Sequence, residues 1–295
     1  MGENNNNYKR WYKYGMDLIN EINNSEPCND EIHIWFAGQH GFIIKTGKKI
    51  IFIDVILNDF MGKDGISRRV YPPPFAPDQI KTVDLVLCSH NHGDHLNMQS
   101  LLPMYGASDN SFFIVPEPSK NVLLEGGMAE KRIIPAKALD EIKPFSDSDI
   151  QIIPVPAIHT KTIQNDGEKD NNGNYTSLGY IIKTNGISIY HAGDTWVTPL
   201  LLEILKEQGP LDLAMLPING TDWQRTMENC IGNMGFLDAV KLAKAVPIDL
   251  VIPSHYDMMA FNSENPAKFA DSMYALCPEK RFHISALGER FIYRK

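Results

Sequence analysis

The run HNHGDH at residues 90–95 constrains this chain more than any other feature, because it follows directly on the strand-like segment VDLVLCS. Side chains alternate along an extended segment, so His90 and His92 point to the same side. The glycine that follows eases a sharp loop, which brings Asp94 and His95 round to the same point in space. Neutral imidazole is the commonest metal ligand in proteins, and carboxylate is a harder one. The run therefore predicts a metal site where a buried strand ends; the alternative is a histidine-rich surface loop that binds no metal.

Three further polar residues each follow an apolar, strand-like segment. His159 comes after IIPVPAI, Asp194 after ISIYHAG and His255 after LVIPS. Any one of them alone is more often an ordinary polar residue at a strand end. Together with the first run they make five imidazoles and two carboxylates, which suits two metal ions that share a bridging carboxylate and keep open positions for water and substrate. The predicted metal ligands are His90, His92, Asp94, His95, His159, Asp194 and His255.

Composition excludes several classes of function. The 295 residues are 43% hydrophobic and 22% charged, which is ordinary for a globular protein, and the formal net charge of −8 disfavours binding to nucleic acid. The four cysteines form no CxxC pair, so neither a disulfide framework nor a structural zinc site is predicted. The amino-terminal segment lacks the apolar stretch of a signal peptide, and no apolar run is long enough to span a membrane. We therefore expect a cytoplasmic protein that acts on a small molecule.

The order of the patterns predicts an α/β fold in a single domain, residues 1–295, with an N-terminal helical extension at about 1–28. Long loops are expected at 56–80, which contains three consecutive prolines, and at 165–174. Helices are predicted at 8–24, at 119–128 and in GFLDAVKLAKAV. A hairpin is expected to turn at Asn185-Gly186. The predicted strands are HIWFAG, GFIIKT, KKIIFIDV, VDLVLCS, 112–115, 150–155, SLGYIIKT, ISIYHAGD, LDLAMLPI, IDLVIPSH, 281–285 and the terminal RFIY.

The ordered set of HxHxDH, a later His, an Asp and a final His, each after a strand, resembles the metallo-β-lactamase superfamily. The resemblance extends from about residue 32 to 291 and implies a four-layer αββα sandwich with a dinuclear metal site at one edge. It implies one metal on His90, His92 and His159, and a second on Asp94, His95 and His255, with Asp194 as the bridge. Asp54 in FIDV resembles the early buried aspartate that orients the metal loop by hydrogen bonding; the alternative for it is a simple turn cap.

A closer resemblance is to the L-ascorbate-6-phosphate lactonase group. It is carried by WFAGQHGFIIKT, DQIKTVDLVLCSHNHGDHLN, ISIYHAGDT and VIPSHYDMMAFNSENP. True β-lactamases generally carry a cysteine or only histidines where Asp194 stands, so hydrolysis of antibiotics is not expected. An aspartate there is typical of hydrolases of esters, lactones, thioesters and phosphodiesters. The resemblance also favours Mn²⁺ and a homo-oligomer, whereas the ligand types alone leave Mn²⁺, Zn²⁺ and Fe²⁺ open.

The predicted function is a metal-dependent hydrolase that opens a small lactone or ester, including a sugar-phosphate lactone. Two divalent cations would lower the pKa of a shared water, and the resulting hydroxide would attack the carbonyl. Asp94 is predicted to pass the proton to the leaving oxygen, and Tyr256 to donate to the oxyanion. The alternatives are a phosphodiesterase acting on a small phosphodiester and a metal-holding redox or sensor module. Four residues are predicted to hold a polar or anionic substrate: Asn219, Asn262, Arg68 and Arg69. The alternative for each is a solvated loop residue.

Overall fold

The computed structural model describes residues 9–61 and 64–295. Two mixed β-sheets pack face to face, and helices cover the outer face of each, which confirms the predicted αββα sandwich. The strands are β1 (Glu31–Gly38), β2 (Gly41–Thr46), β3 (Lys49–Ile53), β4 (Leu85–Leu87), β5 (Phe112–Pro116), β6 (Ile133–Ala136), β7 (Gln151–Pro156), β8 (Leu178–Thr184), β9 (Ile187–His191), β10 (Leu211–Pro217), β11 (Ile248–Ser254), β12 (Arg281–Phe282) and β13 (Arg290–Arg294). The helices are α1 (Gly15–Asn24), α2 (Met98–Ala107), α3 (Lys120–Glu125), α4 (Pro199–Glu207), α5 (Trp223–Met227), α6 (Phe236–Ala245) and α7 (Pro266–Leu276).

Each sheet is partly antiparallel and partly parallel. The first has the order β13-β1-β2-β3-β4-β5-β6, antiparallel as far as β3 and parallel beyond it. The second has the order β12-β11-β10-β9-β8-β7, parallel as far as β9 and antiparallel beyond it. The strands β1, β3, β4, β7, β9 and β11 therefore end at one edge of the sandwich, and the residues that follow them meet there.

Both faces of the first sheet are buried, and alternate residues of each strand enter different cores. Ile34 and Phe36 of β1 enter the core between the sheets, whereas Trp35 packs with Leu18 of α1 on the outer face. Burial on both faces explains why these strands are almost continuously apolar. The helices α4, α6 and α7 cover the outer face of the second sheet. Their buried leucine, isoleucine, valine and phenylalanine side chains belong to one continuous apolar cluster with the core between the sheets.

Some predicted elements have different bounds in the structure; the helix predicted at 119–128, for example, spans only Lys120–Glu125. The predicted helix 8–24 begins only at Gly15, whose φ of +59° breaks the helical path; residues 9–14 form a turn and a bridge from Trp11 to Leu287, and residue 8 lies outside the described residues. The strand predicted at 281–285 is paired only over Arg281–Phe282. The hairpin at Asn185-Gly186 is confirmed, because both residues have positive φ and β8 and β9 pair on either side.

Within the described part of the chain, no helix combines the length and the apolar character needed to cross a bilayer.

Candidate metal centre

The predicted metal ligands meet at the edge where the strands end. Three sets of side chains each place their ligand atoms within 4.8 Å of one another. The sets are His90, His92 and His159; His90, His95 and Asp194; and Asp94, His95 and His255. The first and third are the two triplets that the family resemblance implies. His92 is exposed and Asp94 half-buried, while the other five side chains are buried, so solvent reaches the centre at His92 and Asp94.

Asp194 lies between the two triplets. Its Oδ2 is 3.3 Å from Nε2 of His255, 3.4 Å from Nε2 of His95 and 3.9 Å from Nε2 of His159. Its other oxygen is buried and accepts no hydrogen bond, and Nε2 of His95, although close to the carboxylates, is buried and makes no hydrogen bond either. Buried polar atoms are almost always satisfied. Unpartnered atoms that converge in this way, of the residue types that bind divalent cations, fit a metal centre.

The electrostatics of the site also favour positive charge at its centre. Burial lowers the pKa of His159 to about 4, so this imidazole is neutral and offers a lone pair. Burial acts in the same direction on His255, but Asp194 and Asp94 outweigh it and raise the pKa of His255 to about 9. Despite burial, the pKa of Asp194 is held well below its usual value by His255 and His95. The carboxylates are therefore ionised and attract cationic charge.

Asp54 holds the HNHGDH loop from behind. One carboxylate oxygen accepts from the backbone N–H of Ser89 at 2.8 Å, and the other accepts from the Ser89 hydroxyl at 2.6 Å and from Nδ1 of His95 at 2.7 Å. A carboxylate on Nδ1 fixes the tautomer of His95 and turns Nε2 toward the centre. These contacts are those expected of an orienting aspartate; a turn cap would not bind His95.

Several residues at the site have a strained backbone. Gln39, Asp54 and His255 have φ of +58°, +48° and +57°, in the left-handed region that non-glycine residues seldom adopt. Each follows the end of a strand at the same edge of the sandwich. Such strain persists where the surrounding structure demands it, and it clusters at functional sites.

Sequence reasoning missed Gln39, which lies in the turn between β1 and β2. Its side-chain amide donates to Oδ2 of Asp94 at 2.9 Å and lies 3.2 Å from Nε2 of His255. Its backbone N–H donates to the carboxylate of Asp257, which also accepts from the hydroxyl of Tyr71. Its position after a strand could have identified it, because β1, which precedes Gln39, runs parallel to β3 and ends at the same edge of the sandwich.

Two histidines that sequence reasoning did not select lie beneath the centre. The rings of His40 and His191 are 3.9 Å apart, and burial lowers the pKa of both imidazoles. Nδ1 of His40 donates to the hydroxyl of Ser254, which itself donates to the carbonyl of Leu216. Nε2 of His191 donates to the carbonyl of His40. Both are neutral, hydrogen-bonded core residues that support the strand ends.

A cavity of about 310 Å³ opens over the centre. Asp94, which sequence reasoning proposed as a catalytic residue, is among the residues that line it. Tyr256, the other proposed catalytic residue, stacks on Phe36 with ring centroids 6.1 Å apart and does not line the cavity. The lining residues are Phe60, His92, Gly93, Asp94, His159, Asp194, Asn229, Cys230, Ile231, Met259, Phe261 and Asn262.

The four residues predicted to hold substrate lie in different places. Asn262 lines the cavity, and Asn219 lies behind it. The guanidinium of Arg69 is buried and donates to backbone carbonyls, including those of residues 56, 58 and 71, so it holds the 56–80 loop together. Arg68 is exposed and pairs with Asp64 at 2.9 Å. The structure brings only the two asparagines to the centre.

The orientation of Asn262 is fixed by a chain of hydrogen bonds. Its Oδ1 accepts from the guanidinium of Arg225 and from Nδ2 of Asn219, both at 2.9 Å, while Oδ1 of Asn219 accepts from Nδ2 of Asn233. Arginine can only donate, so the atom facing Arg225 must be the oxygen of Asn262. Nδ2 of Asn262, which donates to no described residue, is therefore left as a donor beside the cavity.

Comparison with protein families and curated proteins gives matches over most of the chain. The family model described as the beta-lactamase superfamily domain matches residues 50–256. A UPF0173 metal-dependent hydrolase of Pyrococcus furiosus is 31% identical over 243 residues, which cover 81% of this chain and 90% of that protein.

Two solved structures share the fold. Igni18, a metallo hydrolase from the archaeon Ignicoccus hospitalis, has a TM-score of 0.65 at 20% identity, covering 90% of this chain and 99% of that one. An isothiocyanate hydrolase from Delia radicum gut bacteria has a TM-score of 0.68 at 18% identity, covering 89% of this chain and 99% of that one. At these identities the likeness concerns the fold alone.

Proposed function

This chain belongs to the beta-lactamase superfamily and is a metal-dependent hydrolase; we propose that it opens a small lactone or ester at the centre formed by Asp194 and the five histidines. The observation that carries this proposal is the position of Asp194. One carboxylate oxygen approaches imidazoles of both triplets, within 3.3–3.9 Å of His95, His159 and His255. A closed structural site needs no such bridge, and it would not open into a cavity.

The residues at the centre would hold two divalent cations in the arrangement that the family resemblance implies. His90, His92 and His159 would hold one, and Asp94, His95 and His255 the other, with Asp194 shared between them. Bound divalent cations supply Lewis acidity, which lowers the pKa of water toward neutrality and stabilises developing negative charge. Mn²⁺, Zn²⁺ and Fe²⁺ all suit this mixed set of imidazoles and carboxylates, and we favour Mn²⁺.

The chain's own groups would position the substrate and move the proton. Asp94 lines the cavity, and the amide of Gln39 holds its Oδ2 at 2.9 Å, so its carboxylate is placed to take a proton from the attacking water and deliver it to the leaving oxygen. The free Nδ2 of Asn262 would donate to an oxygen of the substrate. Tyr256 packs against Phe36 away from the cavity lining, so we assign the donor role to Asn262 instead.

A carbonyl substrate is favoured over the alternative, a phosphodiester. The ligand set suits either reaction. However, no lysine or arginine is among the described residues that line the cavity, so these residues offer a phosphodiester anion no positive side chain. The resemblance to the lactonase group also favours a carbonyl substrate. That the protein acts in the cytoplasm, as a single domain and in an oligomer, stays a prediction.

The proposal is tested by a substrate screen on the purified, Mn²⁺-loaded protein. The screen compares γ-butyrolactone, phenyl acetate and bis-p-nitrophenyl phosphate, before and after removal of metal with a chelator. We expect turnover of the lactone or the ester that disappears with the metal and returns when Mn²⁺ is restored. Turnover of the phosphodiester above that of every lactone and ester would contradict the proposal and favour phosphodiesterase activity.

We expect Asn262→Ala to lower kcat/KM for the best carbonyl substrate about tenfold, because one hydrogen bond to the reacting group is worth about 1.4 kcal/mol. Metal content should not change, since Asn262 belongs to none of the three sets of ligands. The exposed Asn110→Ala is the matched control and should behave as the parent protein. An unchanged kcat/KM in Asn262→Ala would remove this residue from substrate binding.

A further inference from the structure

The walls of the cavity differ in chemistry from its floor. The floor consists of the metal-centre residues His92, Asp94, His159 and Asp194, with Asn262 to one side. The walls and mouth include four large apolar side chains that come from three separate loops. They are Phe60, Ile231, Met259 and Phe261.

These apolar side chains differ in exposure: Met259 is buried, Phe60 and Ile231 are half-buried and Phe261 is exposed. Phe60 has a φ of +50° and packs over the metal-binding loop, where a Cβ added to Gly93 would lie 3.5 Å from its ring. Met259 is buried, and its backbone forms a bridge with Arg69. Phe261, by contrast, is 58% exposed. Exposing a phenylalanine at a site mouth costs free energy unless a ligand covers it, and contiguous exposed apolar surface is typical of binding sites.

Two further exposed apolar side chains lie on α5. This helix leads directly into the wall formed by residues 229–231, and it exposes Trp223 (78%) and Met227 (77%).

The arginine nearest to Asn262 is not available to a phosphate. The guanidinium of Arg225 forms an ion pair with Asp222 at 2.6 Å and donates to Oδ1 of Asn262 and to the carbonyl of Asn219. It therefore lies behind Asn262 and its charge is already paired. Among the described residues that line the cavity, none offers an unpaired positive charge to an anionic substituent, and the ammonium of Lys161, which donates to Oδ1 of Asn229 at 3.4 Å, lies outside this lining.

From the polar floor and the apolar walls of the cavity, we propose that the substrate carries an uncharged alkyl or aryl substituent. This substituent packs against Phe60, Ile231, Met259 and Phe261, while the ester carbonyl of the substrate lies over the metal centre. This inference rests on the proposed function and makes it narrower. It selects apolar lactones or esters and excludes the sugar-phosphate lactone that the sequence resemblance alone would favour.

A homologous series of lactones tests the inference on the Mn²⁺-loaded full chain. The series consists of γ-butyrolactone, γ-hexalactone and γ-octalactone, with 6-phosphogluconolactone as the charged comparison. Each added carbon that the walls cover should raise kcat/KM about threefold, so the gain over the four carbons from the first to the last member is on the order of 80-fold. The phosphorylated lactone should be a poorer substrate than γ-octalactone.

Substitution of the exposed wall residue localises the effect. Phe261→Ala should reduce kcat/KM for γ-octalactone about tenfold and leave that for γ-butyrolactone within about twofold, because only the longer substrate reaches the wall. Tyr274→Ala, which removes an exposed aromatic outside the cavity, is the control and should change neither value. Thermal unfolding of both variants shows whether the fold is retained; if Phe261→Ala is unstable, Ile231→Ala takes its place.

A binding measurement provides a readout that does not depend on turnover. Calorimetry with the non-hydrolysable ketones cyclopentanone and 3-butylcyclopentanone should show tighter binding of the butyl compound, and Phe261→Ala should remove most of the difference. If γ-butyrolactone is opened but kcat/KM is flat along the series, or 6-phosphogluconolactone is preferred, the inference is overturned and the proposed function stands. If no lactone or ester is opened in the presence of metal, both are overturned.

Discussion

Asp194→Ala is expected to lower kcat/KM at least about a thousandfold and to reduce the bound metal to less than one equivalent per chain. The carboxylate approaches imidazoles of both triplets, so its loss removes a ligand from both proposed sites at once. It also removes the first of the negative charges that face the buried imidazoles of His95 and His255, so that only Asp94 and, for His95, Asp54 still oppose them. Loss of Lewis-acid activation is worth several kcal/mol, and about 4 kcal/mol corresponds to a thousandfold in rate.

The measurement pairs steady-state kinetics with metal analysis of the same samples. Asp271→Ala, which removes an exposed aspartate from α7, is the matched control and should keep full activity and metal content. Comparison of the two variants distinguishes loss of the metal centre from loss of the fold. The two apolar cores, rather than Asp194, stabilise the fold. Full metal content with near-normal turnover in Asp194→Ala would show that this residue does not bridge the metal ions.

Asp54→Ala is expected to have the second-largest effect, although Asp54 is not itself a ligand. Its removal leaves the N–H of Ser89 without its acceptor, and it takes the shortest hydrogen bonds from the Ser89 hydroxyl and from Nδ1 of His95, which then have only each other and Nδ1 of His90 as partners. Unsatisfied buried donors cost about 1–3 kcal/mol each, so the free energy of unfolding should fall by roughly 3 kcal/mol. Loss of the orienting partner should weaken metal binding about 10- to 100-fold.

Asp54→Asn supplies the graded comparison. The carbonyl oxygen of the asparagine can still accept one of these hydrogen bonds. The negative charge of the carboxylate, which faces Nδ1 of His95, is lost. We therefore expect metal affinity between that of the parent and that of Asp54→Ala, with a smaller loss in the midpoint of chemical unfolding. Metal titrations and urea unfolding of the three proteins give both quantities. If Asp54→Ala matched the parent in metal affinity, the aspartate would be a turn cap only.

The fold was predictable because burial leaves a strong pattern in the sequence. Strands covered on both faces are almost continuously apolar, and the hairpin between β8 and β9 turns on Asn185-Gly186, which tolerate positive φ. The sequence pattern did not predict α2, which contains Pro103 and has a weakly amphipathic face. The short strand β6 was also missed, since Pro135 lies within it. Local propensity opposed both elements, and tertiary packing decided them.

The candidate site was predictable only where the residue types themselves are distinctive. Histidines and aspartates after strands stand out, and the structure brings all seven together. Gln39 carries no such signal, because its role depends on a strained turn that places its amide beside Asp94. The hydrogen-bond chain from Arg225 through Asn262 to Asn219 and Asn233 joins segments that are distant in sequence. Arg68 and Arg69 drew attention by their charge, but loop geometry places one in solvent and the other on backbone carbonyls.

A crystal structure of the Mn²⁺-loaded protein, with anomalous diffraction to locate the metal, tests the central claim most directly. We predict two anomalous peaks: one bound by His90, His92 and His159, the other by Asp94, His95 and His255, with Asp194 contacting both. Crystals grown in excess Mn²⁺ that showed no peak among these side chains, or a peak elsewhere in the molecule only, would contradict the claim.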